Sequence, residues 1–363
     1  MMLLITIMAI LLTRTASLLP CHNLSSFRVL LSNGCRSRKY RFHWMRKSED
    51  DGNAEEDPIQ NGSSNLSSAY PPFSHSLQNN RLKHRMRNGL PLTGVVSGQY
   101  RDTDHVEILG LLGYDFLWAD AEHSSASPDD IASMILAAER RGLPTLVRIG
   151  YGYQNIIGHV QKYLVSGAQG ILLPQCESRE DVEQIVKAVK FPPLGQRGLA
   201  GERWNAWGLA IASDDESDST SSKYLSLSNC TATANQNSIV GVLIENQIGL
   251  DVLDEIMCVP GLDMIFLAPT DLSANMGLHG QIRHPKVLAK IEEAGEKIQR
   301  FNENHRDETD KIALGTLVLN ADDYTYWRER KFNVLCGVAQ NLFMDGAKDL
   351  LNNIYDYEER QKR

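Results

Sequence analysis

A chain of 363 residues has room for two domains of ~150 residues or for one large barrel with extensions, and its 42% apolar residues and 27 glycines supply the core the second arrangement needs. The formal charge of −8 argues against a nucleic-acid phosphate backbone as the partner, since that needs a basic face, and no apolar run reaches the ~20 residues of a membrane span. Six cysteines, Cys21, Cys35, Cys176, Cys230, Cys258 and Cys336, are scattered without a CxxC pair, which disfavours a zinc ribbon, a thioredoxin site and a disulfide framework and points mostly to buried thiols.

In chain order, residues 3–12 form a short apolar segment, and the eight Lys/Arg of residues 1–48 meet no acid before Glu49. The rest of the chain therefore carries −16. An apolar start followed by a basic, Ser-bearing stretch predicts a targeting leader over 1–48, a signal peptide with a transit peptide behind it, addressed to a plastid or alternatively to a mitochondrion. A mispredicted start or a disordered tail is the plainer alternative. Residues 49–78 are acidic, then Ser-, Asn- and Pro-rich, and read as a linker.

From residue 79 to about 350, β-rich runs alternate with stretches of helical period. The expected strands are Thr93–Ser97, Phe116–Ala119, Thr145–Ile149, Gly170–Leu173, Ile239–Ile244, Met264–Leu267, Ile312–Leu317 and Val334–Gly337. Among the expected helices are Pro128–Arg141, Ile156–Ser166, Arg179–Val189 and His284–Asn302. Eight strands separated by helices predict an α/β fold of the (β/α)8 TIM-barrel class; a doubly wound sheet would show a glycine fingerprint after its first strand, and none is present. Residues 212–238 read as a polar, Ser-rich insertion in a surface loop, and 351–363 as a charged C-terminal tail.

Polar residues at the C-terminal ends of barrel strands mark a site, because the core ends there and the βα loops begin. The second strand runs into Asp120, Glu122 and His123, the third ends at Arg148, the fifth at Glu245, and the sixth leads to Asp271. Singly, each has a plain reading: Asp271 could be a helix N-cap, and His123 a capping or packing histidine. Together they converge on one rim. Glu245 and Asp271 lie one βα repeat apart, and two hard oxygen ligands suit Mg²⁺ or Mn²⁺, with Co²⁺ a further candidate; zinc would want a His/Cys cluster. Arg148 offers positive charge to an enolate oxygen, and His123 an acid/base group. A Schiff-base mechanism needs a lysine at that rim, whereas Lys311 and Lys331 precede their strands and Lys162, Lys187, Lys190, Lys286, Lys290 and Lys297 fall on helices.

The stretches GYDFLWADAEHS (113–124), PTLVRIG (144–150), GAQGILLPQCES (167–178), FPPLGQRGLAG (191–201), VLIEN (242–246) and LAPTDLSANMGLHGQIRHP (267–285) resemble the HpcH/HpaI aldolases, metal-dependent pyruvate aldolases related to the citrate lyase β-subunit. The resemblance runs from about 79 to 345. It implies a barrel of the phosphoenolpyruvate/pyruvate-domain type, with Glu245 and Asp271 binding the divalent metal and Arg148 holding the keto or enolate oxygen. It further implies that His123 acts through a metal-bound water, that the backbone amides of Thr270 and Asp271 receive the 2-oxo acid carboxylate, and that Asp120 and Glu122 support them. The activity implied is reversible cleavage of 4-hydroxy-2-oxo acids to pyruvate, or a related 2-oxo acid, and an aldehyde, by a homo-oligomer, trimer or hexamer.

Three positions depart from the family pattern. Val165 stands where an aspartate pairs with the histidine, Leu243 where glutamine precedes the metal glutamate, and Val96 where many members carry tryptophan. The first predicts a histidine of altered basicity. The competing expectations are a citryl- or malyl-CoA-type lyase, which would want a basic groove, and a non-catalytic barrel that only binds metal and 2-oxo acid.

Overall fold

The computed structural model describes residues 80–150, 156–208, 226–307 and 310–361. The predicted leader, the linker and the polar core of the predicted insertion lie outside them. The elements follow in the order α1 (Arg81–Arg87), β1 (Leu92–Ser97), α2 (Thr103–Leu112), β2 (Phe116–Asp120), α3 (Pro128–Arg140), β3 (Thr145–Arg148), α4 (Ile156–Val165), β4 (Gly170–Leu173) and α5 (Arg179–Val189). A 3-10 turn (Arg203–Gly208) and α6 (Leu227–Asn237) lead to β5 (Ile239–Ile244), followed by α7 (Gln247–Asp251), α8 (Leu253–Met257), β6 (Met264–Leu267), α9 (Pro269–Asn275), α10 (Pro285–His305), β7 (Ala313–Leu317), α11 (Ala321–Glu329), β8 (Val334–Val338) and α12 (Ala339–Gln361). The eight strands pair in parallel in sequence order, and β8 returns to β1 to close the barrel. Strand limits agree with the sequence reading to within a residue at each end.

The near-continuous apolar strands, such as IVGVLI in β5, are buried along their whole length, as parallel strands covered on both faces must be. Two cores result. The larger lies between barrel and helices, and a smaller one fills the barrel with Phe116, Trp118, Leu146, Leu243, Met264 and Phe266. Near the upper end of that interior, Trp118 and Phe266 meet edge to face at 4.8 Å between ring centroids, a favoured aromatic geometry.

Helix α1 closes the lower mouth. Its Leu82 and Met86 join the interior core, and Lys83 and Arg87 bond Asp263 from below at 3.0 Å each. Burial and the neighbouring Lys83 ammonium push the Lys190 amine, which also lies at this end, down to about 7. The lysines of the interior thus gather at the end opposite the strand C-termini.

Packing inside the barrel is tight enough to demand glycine at Gly94, where a Cβ would stand 2.3 Å from the Phe116 ring. Gly94→Ala is expected to cost about 1–3 kcal/mol through overpacking. Thermal unfolding checks this, and an unchanged midpoint would contradict the packing described.

Two boundaries differ from the sequence reading. Residues 227–237 form α6, capped by Ser226, where a polar loop was expected. Cys230 and Ala234, one turn apart on a mostly polar segment, pack against Phe191 and Trp204, and two small residues make too faint a stripe to read in advance. Residues 351–361 continue α12 rather than forming a separate tail. Cys176, Cys230 and Cys336 are buried and Cys258 is exposed, all as free thiols.

Candidate active site

At the C-terminal mouth, the register that pairs Asp120 with Arg148 across β2 and β3 sets the first contact. Asp120 accepts hydrogen bonds from Arg148 Nε at 2.8 Å and Nη2 at 2.6 Å, a bidentate clamp that fixes the guanidinium plane. Asp120 also accepts from the backbone amides of Glu122 and His123 at 3.1 and 3.4 Å, so one carboxylate shapes the loop and aims the arginine. The loop then ends at a capping box in which Ser127 and Asp130 bond reciprocally ahead of Pro128, which stops α3 from unwinding back toward the site.

Glu122 turns inward. Its side chain is 7% exposed and its Oε2 lies 3.1 Å from Arg148 Nη1, an ion pair without hydrogen-bond alignment, since that oxygen has no hydrogen-bond partner. Burial, ahead of the opposing pull of Arg148, raises the Glu122 pKa. Burial alone would lower the Arg148 pKa, but the Asp120 hydrogen bonds and the charges of Asp120, Glu122 and Glu245 raise it. His123 is different in kind: its side chain is 61% exposed, with Nε2 3.7 Å from Glu122 Oε2. The cap of α3 is Ser127, so His123 is not a capping residue.

Glu245 directly follows β5 and is buried. Its Oε2 accepts from the Gln175 amide at 3.1 Å, and its Oε1 is buried with no partner. Burial first, then the charges of Asp271 and Glu122, push its carboxyl up to about 7. Asp271 is the third residue of α9, not its cap; that place belongs to Ala268, which has no side chain to bond the first turn. The amides of Thr270 and Asp271 therefore begin a helix whose end lacks a side-chain cap.

These groups line one cavity of about 250 Å³, shared by Asp120, His123, Arg148, Glu245, Thr270 and Asp271. All the predicted site residues but Glu122 line it directly, and Glu122 backs Arg148. No lysine lines it. A second cavity of about 260 Å³ runs beside Arg283, Asp323 and Tyr326, but its arginine is held by Asp323 at 2.9 and 3.0 Å and none of the groups described above reaches it.

The position of Val165 changes the expectation attached to it. Val165 ends α4, which returns the chain to the lower mouth before β4, whereas His123 follows the upper end of β2. No side chain at 165 can meet His123 of the same chain. The carboxylate beside the histidine is Glu122, so the substitution at Val165 leaves this chain's own His123 environment unaltered.

Among the described residues, no cluster of three or more His, Cys, Asp or Glu side chains stands in metal-ligand arrangement. The site offers two carboxylates. Their chemistry nevertheless fits a hard divalent cation: the donors are oxygens only, and Glu245 Oε1 is buried without a partner next to a second acid.

The sequence reading did not anticipate the Gln175 amide, Trp118 or Gln99. Gln175 sits at φ 48°, and the left-handed turn after Leu172, Leu173 and Pro174 carries no side-chain signature. Arg148 lies over the Trp118 ring at 5.6 Å, and Gln99 donates to the His123 carbonyl at 2.9 Å.

A family model described as HpcH/HpaI aldolase/citrate lyase matches residues 99–342. The chain is 32% identical over 251 residues to the hydroxypyruvate/pyruvate aldolase of Roseovarius nubinhibens, covering 69% of this chain and 86% of that protein. It is 30% identical over 219 residues to the 2-keto-3-deoxy-L-rhamnonate aldolase of Salmonella gallinarum, covering 60% and 74% respectively. Among solved structures, an HpcH/HpaI aldolase/citrate lyase family protein from Burkholderia cenocepacia superposes with a TM-score of 0.62 at 26% identity, covering 76% of this chain and all of that one.

Proposed function

Because the chain belongs to the HpcH/HpaI aldolase/citrate lyase family, we propose that it is a divalent-metal-dependent carbon–carbon lyase that reversibly cleaves 4-hydroxy-2-oxo acids to pyruvate, or a related 2-oxo acid, and an aldehyde. The observation that carries this reading is the convergence of Glu245, Asp271, Arg148 and His123 on one cavity, with a buried unpartnered carboxylate oxygen among them. A purely structural barrel has no use for that arrangement. Nor does a CoA-ester lyase fit well, since the one guanidinium that lines the cavity among the described residues is already engaged by Asp120 and Glu122.

Glu245 and Asp271 would hold Mg²⁺ or Mn²⁺, which supplies Lewis-acid polarisation of the 2-oxo group when bound. Arg148, immobilised by Asp120, presents charge to the oxygen on which electrons accumulate and pays no reorganisation cost at that moment. In cleavage, the proton of the 4-hydroxyl passes to the exposed imidazole of His123, C4 becomes the aldehyde carbonyl, and the electrons of the C3–C4 bond are left on the three-carbon fragment. Protonation at C3 completes pyruvate. The uncapped amides of Thr270 and Asp271 would receive the 2-oxo acid carboxylate.

The test is pyruvate release from a panel of 4-hydroxy-2-oxo acids with Mg²⁺ or Mn²⁺ and with EDTA. Release that EDTA abolishes is expected; release that survives exhaustive chelation would refute the metal assignment.

A homo-oligomer, trimer or hexamer, is also part of the proposal. Beyond Ala339, α12 leaves Phe343, Leu350, Leu351 and Ile354 exposed at helical spacing, and an apolar stripe of that kind is the mark of a contact surface. Leu350→Glu combined with Ile354→Glu is expected to yield monomers in sedimentation, and wild-type protein that already sediments as a monomer would remove this part.

A further inference from the structure

The cavity has two unlike halves. Asp120 and Arg148 stand at β2 and β3, and Glu245 and Asp271 follow β5 and β6, whereas Leu317, Val338 and Val96 stand on β7, β8 and β1. In the closed order these last three strands are neighbours, so they form one apolar wall, with Gln99 after β1 and Gln340 after β8 the polar side chains beside it. Leu243 and Phe266, paired across β5 and β6, lie beneath the charged side.

The charge balance is lopsided as well. Asp120, Glu122, Glu245 and Asp271 face a single guanidinium, and Arg148 already holds the first two. Among the described residues, no lysine and no other arginine lines the cavity. A divalent ion and the carboxylate of one 2-oxo acid would still leave the site negative. The apolar wall gives a second carboxylate no counter-ion, the amides of Gln99 and Gln340 beside it carry no charge to offset one, and desolvating an anion against it is costly.

We propose that the aldehyde partner is uncharged and that Val96, Leu317 and Val338 receive its carbon chain. This rests on the aldolase reading and narrows its substrate class. In the synthetic direction C3 of the 2-oxo acid, having given up a proton, bonds to the aldehyde carbon; the carbonyl π electrons move to oxygen, which takes a proton to become the 4-hydroxyl. Cleavage reverses each transfer.

Two aldehydes of equal length separate the alternatives: butanal, and succinic semialdehyde, which ends in a carboxylate. With pyruvate and Mg²⁺ or Mn²⁺, the kcat/KM for butanal is expected to exceed that for succinic semialdehyde by about 10²-fold or more, the scale of an uncompensated like-charge contact. Exchange of the pyruvate methyl hydrogens in D₂O, followed by NMR without any aldehyde, reports the charged half alone. Exchange with equal or better use of succinic semialdehyde would overturn the inference and leave the aldolase reading standing. Absence of metal-dependent exchange would remove that reading and the inference with it. Val338→Arg and, separately, Leu317→Lys place a cation at the wall and should narrow the ratio at least about tenfold. A ratio unmoved in both variants while exchange persists would count against the wall as the aldehyde's seat.

Discussion

Glu245→Gln is expected to cut turnover by about 10³-fold or more and, in the absence of metal, to make the protein more stable at pH 8. The first effect follows from removing a proposed ligand of a Lewis acid, which would be worth several kcal/mol of transition-state charge stabilisation, at 1.36 kcal/mol per decade of rate. The second follows from burial. The Glu245 carboxyl, near 4.5 in an unfolded chain, is held at about 7 in the fold by desolvation, Asp271 and Glu122. Between those values the folded state binds more protons than the unfolded one, so stability falls as pH rises through the window, and the whole penalty remains above it. Glutamine carries no charge to desolvate. Thermal unfolding in EDTA at pH 5 and pH 8 should therefore show a drop for the wild type that the variant lacks, while added Mn²⁺ should raise the wild-type midpoint alone. Parallel pH profiles for the two proteins would mean that Glu245 is not a buried anion, and the reading of the site would fall with it.

For Arg148→Met the expected loss is in stability as much as in activity. The Arg148 and Asp120 side chains are 10% and 7% exposed and joined by two hydrogen bonds. Removing the cation leaves two acids buried without a counter-charge, and breaking a buried pair of this kind costs about 3–5 kcal/mol. Arg148→Lys keeps the charge but not the planar fork that grips both oxygens of Asp120, so it should fall between the two. Combining Arg148→Met with Asp120→Asn removes both partners and should recover part of the loss. Denaturant titrations of the three variants decide the matter; a deficit under about 1 kcal/mol for Arg148→Met, typical of an exposed pair, would show that the clamp carries no structural burden.

The barrel was legible because parallel strands announce themselves as uninterrupted apolar runs, and because several are followed by a helix with a capping signal, as SPDD is for α3. The acids and the arginine were legible for a related reason: a charge placed directly after such a run marks the strand's end. What escaped is what depends on register and on direction. That Asp120 grips Arg148 follows from how β2 and β3 slide against each other, and one strand read alone does not contain it. That Glu122 turns in while His123 turns out is decided by two amides bonding back to Asp120. The weight given to Val165 came from aligning motifs, which preserves order along the chain but not the end of the barrel at which a residue lies. Helix α6 was hidden by composition, its buried contacts made by a cysteine and two small or amide side chains, Ala234 and Asn235.

Helix α1, wedged into the lower mouth with Leu82 and Met86 in the interior core, makes the barrel of the described residues a vessel with one doorway. On the proposed aldolase reading both reactants would use it, and they could not pass each other. The 2-oxo acid, seated among the buried Glu245 and Arg148, would lie behind the position of its partner, with His123 at the threshold. Traffic of this kind would impose a queue: the 2-oxo acid would enter first and leave last. The expected steady-state mechanism is compulsory-order, with pyruvate the product that competes with the intact hydroxy-oxo acid for the empty enzyme.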